Sequence, residues 1–118
     1  MGQLVTVVVE DSRPVAALIG ELDAAGVDAA SAALVPALHR HGGLVVDLAH
    51  LRFLDCAGLG ALVGLRLEAE RAGLPFSVAR PSLPVARLIR LAGGPDLLVV
   101  HRRLDRALQA MVRVREIV

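Results

Sequence analysis

Five short runs of β-branched and aliphatic residues, set apart by stretches of helical period, constrain this chain more than any other feature. They are LVTVVV at 4–9, PVAALI at 14–19, LVVDL at 44–48, LPFSVA at 74–79 and LLVV at 97–100, each of strand length and strand composition. Three are apolar on consecutive residues, the pattern of a strand buried on both faces of a sheet. The first two are linked by EDSR, a run of turn formers, so they are expected to pair antiparallel.

Between the later runs the period changes to that of a helix. Ala24 to Arg40 places Val27, Ala30, Leu34 and Leu38 on one face, with Pro36 expected to distort the final turn because proline removes a backbone donor. Gly58 to Ala72 follows, then Ser82 to Ala92, with Ser82 as candidate cap, Pro84 in the first turn and Gly93-Gly94 as the stop. A last helix, from Arg103 to about Val112, carries Leu104, Ala107, Leu108, Met111 and Val112 as its apolar stripe. A strand pair followed by alternating helices and strands implies right-handed crossovers. The expected fold is therefore α/β, one domain over residues 1–118, with a mixed, mainly parallel sheet of about five strands and about four helices.

Composition narrows the function. Apolar residues make up 55% of the 118, yet only Phe53 and Phe76 are aromatic, so the core is aliphatic. Thirteen basic residues, all arginine, meet twelve acids for a net charge of +1, too balanced for nucleic-acid binding by counterion release, and no Tyr or Trp offers a base-stacking platform. The single cysteine, Cys56, excludes an internal disulfide. No apolar run approaches the ~18 residues of a membrane span, and no signal peptide is recognisable, so the expected localisation is cytoplasmic without membrane insertion. The four histidines lack ligand spacing and no Walker loop, GxSxG elbow or HExxH helix occurs. Neither a metal, a cofactor nor an enzymatic activity is expected. Arg102, Arg103 and Arg106 beside Asp105 read as a solvated helix face, with docking of an acidic partner as the alternative.

In a parallel sheet, function gathers where strands end and helices begin. That rule selects GELD at 20–23 and FLDCAGLG at 53–60. A helix opening near Cys56 or Ala57 presents free N–H groups and the positive dipole end, favouring a phosphoryl group, an anion or a thiolate; Asp55 adds an opposing negative charge. On the following helix Leu62, Leu65, Ala69 and Ala72 are expected in the core. Leu59, Val63 and Leu67, beside Gly60, form a second strip that either faces a partner or is covered by another element of the domain.

GELD at 20–23, VVDL at 45–48 and FLDCAGLGAL at 53–62, with the order of strands and helices around them, resemble the STAS domain of bacterial anti-sigma factor antagonists. The resemblance implies a STAS-like fold and a non-catalytic role in transcription regulation by partner switching. In that family the residue after the Asp is usually Ser or Thr and is phosphorylated by an anti-sigma factor that is also a serine protein kinase. The unphosphorylated form binds the kinase and frees a sigma factor. Carried onto this chain, Asp23 and Asp55 flank the switch, Cys56 takes the phosphoacceptor position, and Ala57, Gly58, Leu59, Gly60 and Val63 meet the partner. A homodimer stays open. Cys56 is a departure, because a thiol differs from a hydroxyl in pKa, size and bond length, and the only hydroxyls, Thr6, Ser12, Ser31, Ser77 and Ser82, lie outside this loop. Two alternatives use the same residues: a thiol-based redox sensor at Cys56, or a STAS accessory subunit of a lipid-transport ATPase or stress-signalling scaffold.

Overall fold

The computed structural model describes residues 5–117, with side chains as far as Val112. Leu4 of the first expected strand lies outside the described residues. In chain order the elements are β1 (Thr6–Val9), β2 (Val15–Leu22), α1 (Val27–His41), β3 (Leu44–Leu54), α2 (Cys56–Ala72), β4 (Phe76–Ala79), α3 (Leu83–Ala92), a single 3-10 turn (Gly94–Asp96), β5 (Val100–His101) and α4 (Leu104–Ile117). The strands form one sheet in sequence order, β1 antiparallel to β2 and every later pair parallel. This is the mixed, mainly parallel α/β sheet with four helices that the alternation of periods implies.

Both faces of the centre are covered, which explains the unbroken apolar runs. On one side Leu18 and Leu22 of β2 and Val46, Leu48, Leu51 and Leu54 of β3 pack with Leu34 and Leu38 of α1, Leu62 and Leu65 of α2 and Val85 and Ile89 of α3. On the other, Val45 and Ala79 meet Ala107 and Met111 of α4, with Leu104 and Leu108 packed against them. Val112, expected in that stripe, is exposed. Beyond the reach of α4, Val8, Ile19 and Phe53 remain exposed.

Two boundaries differ from the sequence reading in a way that bears on function. β2 runs to Leu22 and β3 to Leu54, so most of GELD and the FL of FLDC are strand and not loop. The cause is mutual pairing: Glu21 lies opposite Phe53 and Leu22 opposite Leu54, and a strand extends as long as its neighbour supplies hydrogen-bond partners. The register shifts between Gly20 and Glu21, where Gly20 takes a φ of 103°, a bulge that glycine accepts without strain.

Helix α1 starts at Val27 and not Ala24. Asp23 folds the intervening residues into a turn, its Oδ1 accepting from Ala25 N–H at 3.0 Å and its carbonyl from Gly26 N–H at 3.0 Å. Pro36 does not end the helix, which continues to His41 and stops at Gly42 in the left-handed region. Pro36 and Ala32, whose carbonyl loses its intrahelical partner, are both exposed, so the lost bond falls on the solvent side of the helix and not in the core. Ser82 stands at the start of α3 without capping it; its hydroxyl donates instead to the Leu51 carbonyl at 2.9 Å. The last strand, Val100–His101, is shorter than expected and begins later, because Leu97 and Leu98 still donate to the Gly94 carbonyl and so belong to the end of the 3-10 turn.

Candidate functional site

Asp23 and Asp55 follow the ends of two adjacent parallel strands, so thirty-odd residues of sequence separation collapse to neighbouring positions. The Asp55 N–H donates to the Leu22 carbonyl at 3.3 Å, which ties the start of α2 to the residue just before Asp23. Asp55 is also the N-cap of α2: its backbone is extended and its Oδ1 accepts from Gly58 N–H at 2.8 Å. The carboxylate thereby occupies one of the donors that a helix start leaves unpaired and complements the dipole.

Cys56 is the first residue of α2 and is exposed, as are Ala57 and Gly60. Gly58 and Leu59 are buried. A Cβ at Gly58 would stand 2.4 Å from the Leu22 carbonyl oxygen and 2.7 Å from Leu54 Cδ1, so the helix backbone rests directly on the two strand ends. A Cβ at Gly60 meets nothing within 4 Å. The two glycines of the motif thus have opposite duties: Gly58 lets α2 approach the sheet, and Gly60 leaves a gap on the outer surface.

That gap is part of a shallow groove of about 380 Å3, lined by Cys56, Leu59, Gly60, Val63, Gly64 and Leu67 of α2 and by Ala92 and Leu97 opposite. The strip expected on α2 is thereby divided. Leu59 belongs to the core, Val63 is half-buried against it, and Leu67 is exposed, while Ala72, expected in the core, is exposed. Arg66 anchors the opposite wall. Its Nη1 donates to the carbonyls of Asp96 and Leu97, the latter at 2.7 Å, and its Nε pairs with Glu70 at 3.0 Å. That Arg66 binds the end of the 3-10 turn depends on carbonyl groups that no side-chain pattern records.

Two further polar groups brace the same framework. Asp47 of VVDL is buried and accepts a two-pronged contact from Arg80, with Nε to Oδ1 at 3.1 Å, besides the Ala49 N–H at 3.1 Å. The hydrogen bond from Arg80 to Asp47 raises the guanidinium above its ordinary value. Between α1 and α2, Glu68 accepts from Arg71 at 2.7 Å and pairs with His39 at 2.8 Å. The Arg71 hydrogen bond first, and His39 second, hold the Glu68 carboxyl down to about 2.

Among the described residues no group of three His, Cys, Asp or Glu side chains is placed to hold a metal ion, and no helix is long and apolar enough to cross a membrane.

A family model described as Mlab, STAS domain, matches residues 5–100. No curated protein sequence matches the chain. Among solved structures, an anti-sigma factor antagonist from Mycobacterium paratuberculosis is 29% identical, with 92% of this chain and 94% of that one covered at a TM-score of 0.72. The unphosphorylated anti-sigma factor antagonist SpoIIAA is 24% identical over 97% of this chain and 98% of that one, with a TM-score of 0.69. The phosphorylated form of the Bacillus cell fate determinant SpoIIAA is 18% identical over 90% of this chain and 97% of that one, with a TM-score of 0.64. The extent of the family match and the agreement of fold along nearly the whole chain lead to one conclusion: this chain belongs to the STAS domain family, alongside the anti-sigma factor antagonists whose fold it shares.

Proposed function

We propose that this protein is an anti-sigma factor antagonist that docks on a kinase-type anti-sigma factor and so frees a sigma factor, in a bacterial cytoplasm and without catalysis of its own. The observation that carries the reading is the exposed first turn of α2, capped by Asp55, with Cys56 at the phosphoacceptor position and an apolar groove beside it. Asp23, Asp55, Cys56, Ala57, Gly60 and Val63 provide the contact surface, while Gly58 and Leu59, being buried, set its height from beneath. Gly60 and Gly64 leave room for an apolar side chain of the partner against Val63 and Leu67, the sort of pocket that hot-spot residues fill.

In this reading Cys56 alters the release step. A kinase of this class moves the γ-phosphoryl group to a hydroxyl oxygen, whose proton passes to an aspartate base, and Cys56 offers no such oxygen. The protein then holds its partner without the usual phosphorylation-driven exit, as a constitutive antagonist or a decoy. Incubation of the purified chain with a candidate anti-sigma kinase and ATP, followed by intact-mass analysis, tests this. Phosphate is expected on Cys56→Ser alone; phosphate on Cys56 of the parent chain refutes it.

A second reading, an accessory subunit of a lipid-transport ATPase, is favoured by the Mlab description of the matching family model and uses the same docking face. Affinity purification from the source cell separates the two: an anti-sigma kinase supports the first, a transport ATPase the second.

A further inference from the structure

The helices that cover one face of the sheet stop short of its last strand. Side chains on a strand alternate between faces. On β5, His101 stands opposite Ala79, on the face that α4 covers, and Val100 stands opposite Val78, on the face of α1, α2 and α3. Leu98, two residues before Val100, is buried in that second layer, whereas Val100 is exposed. Helix α3 therefore covers the approach to β5 but not β5 itself. What it leaves is an open groove of about 360 Å3, with Ala86, Ile89 and Arg90 on the α3 side and Pro95, Val99 and Val100 along the sheet edge. The α2 groove meets α3 at Ala92, which at ~100° per residue lies on the opposite flank from Ala86 and Arg90.

An apolar strip beside a parallel sheet is where a further helix packs, and the charges around this one select its character. Leu83, Ala86 and Arg90 form one row along α3, with Arg87 next to it, and Leu83, Arg87 and Arg90 are all exposed. Among the described residues neither Arg87 nor Arg90 has an ion pair or a side-chain hydrogen bond. Helix α3 contains no acid, and from its start to the end of β5 the single acid is Asp96, in the 3-10 turn. The groove is thus apolar at its floor and positive along one rim. A second copy of the chain does not complement it, because none of the four helices carries more acids than arginines and the glutamates of α2 are already held by Arg71 and Arg66.

We propose that this groove docks an acidic amphipathic helix of a partner protein, laid beside α3 as the next helix of that layer. Its apolar row fills the hollow over Ile89 and against Pro95 and Val100, the helix-in-groove mode of recognition. Carboxylates one turn apart on its flank meet Arg87 and Arg90, in the charge-assisted contact that guanidinium groups favour. The surface is separate from the docking face on α2 and stands whether or not that face meets an anti-sigma factor.

The test is a titration of the fluorescein-labelled peptide ADELEELLEELEA, an acidic helix with leucines at helical spacing, with the full chain. Binding is read by anisotropy and located by amide NMR on the isotope-labelled chain. Saturable binding is expected, with shifts centred on α3 and residues 94–101 and an affinity about tenfold or more above that of a scrambled peptide of the same composition. Reversing both arginines, Arg87→Glu with Arg90→Glu, is expected to weaken it by about tenfold. The lysine counterpart ADKLKKLLKKLKA is expected to prefer that variant over the parent. Both arginines are exposed, so the variant keeps the fold, verified by an unchanged melting temperature and by its binding of the lysine peptide. Absence of saturable binding, affinity untouched by the double reversal, or shifts centred on α2 overturns the proposal. So does capture by phosphatidylglycerol vesicles where the peptide fails, which makes the groove a lipid site, or a dimer of the chain that the double reversal abolishes.

Discussion

Replacing Gly58 by alanine isolates the contact on which the docking face depends. Gly58 is the third residue of α2, and its added Cβ would fall 2.4 Å from the Leu22 carbonyl oxygen, 2.7 Å from Leu54 Cδ1 and 3.0 Å from Leu22 Cγ, where ordinary contact begins at 3.4 Å. The nearest obstacle is backbone in an inner strand, so it cannot swing aside as a side-chain tip would. Helix propensity alone favours alanine by ~0.5–1 kcal/mol, whereas overpacking of a close-packed interface costs ~1–3 kcal/mol or more. The steric effect wins because its relief must lift the first turn of α2 and stretch the 3.3 Å bond from Asp55 N–H to Leu22. A net loss of about 2 kcal/mol corresponds, for a chain of this length, to a fall of about 5–10 °C in Tm. The control is Gly60→Ala, two residues on, where a Cβ meets nothing within 4 Å and φ is not positive; restriction of the unfolded chain there should raise stability by ~0.4–1 kcal/mol. Both variants are compared with the parent by calorimetry and urea titration. If Gly58→Ala melts at or above the parent, α2 does not rest on the strand ends and the account of the site's height fails.

Other perturbations have equally definite outcomes. Asp55→Ala removes the acceptor for Gly58 N–H and should cost ~1 kcal/mol in chemical denaturation, most of it restored by Asp55→Asn. Arg80→Ala strips the paired contact from Asp47, whose side chain is 8% exposed; because Arg80 itself is 44% exposed and therefore partly screened, the expected loss is ~1.5 kcal/mol, and adding Asp47→Asn should recover part of it in a double-mutant cycle. Glu68 stays ionised down to about 2 when folded but titrates near 4.5 when unfolded. The unfolded chain binds the extra proton in that interval, so the Glu68 contribution is fully present above about pH 4.5 and is lost as pH falls toward 2. Melts between pH 5.5 and 2.5 should show a shallower decline for Glu68→Gln than for the parent.

The periodicities of this sequence determined much of the result. Aliphatic runs that are apolar on consecutive residues can be stable only between two covering layers, so a mainly parallel sheet with helices on both sides follows from burial alone. GELD and FLDCAGLG, legible as segments that close a strand, do lie together at the carboxyl ends of β2 and β3, where side chains of a parallel sheet converge. Element ends were less legible. β2 and β3 prolong each other through Leu22 and Leu54, a cooperation between residues far apart in the chain, and Pro36 is harmless in α1 only because its side of the helix faces solvent.

What tertiary structure alone decided is which residues of the motif are surface and which are support. A pattern of leucines and glycines on α2 does not say that Leu59 and Gly58 press on the strand ends while Gly60 and Leu67 face outward, since the tilt of a helix on a sheet is set by the packing of both. Nor does it reveal that Arg66 binds the carbonyls that wall the groove, or that α3 leaves Val100 exposed at the sheet edge. Those facts depend on distances between elements, and a sequence records only what each element prefers to bury.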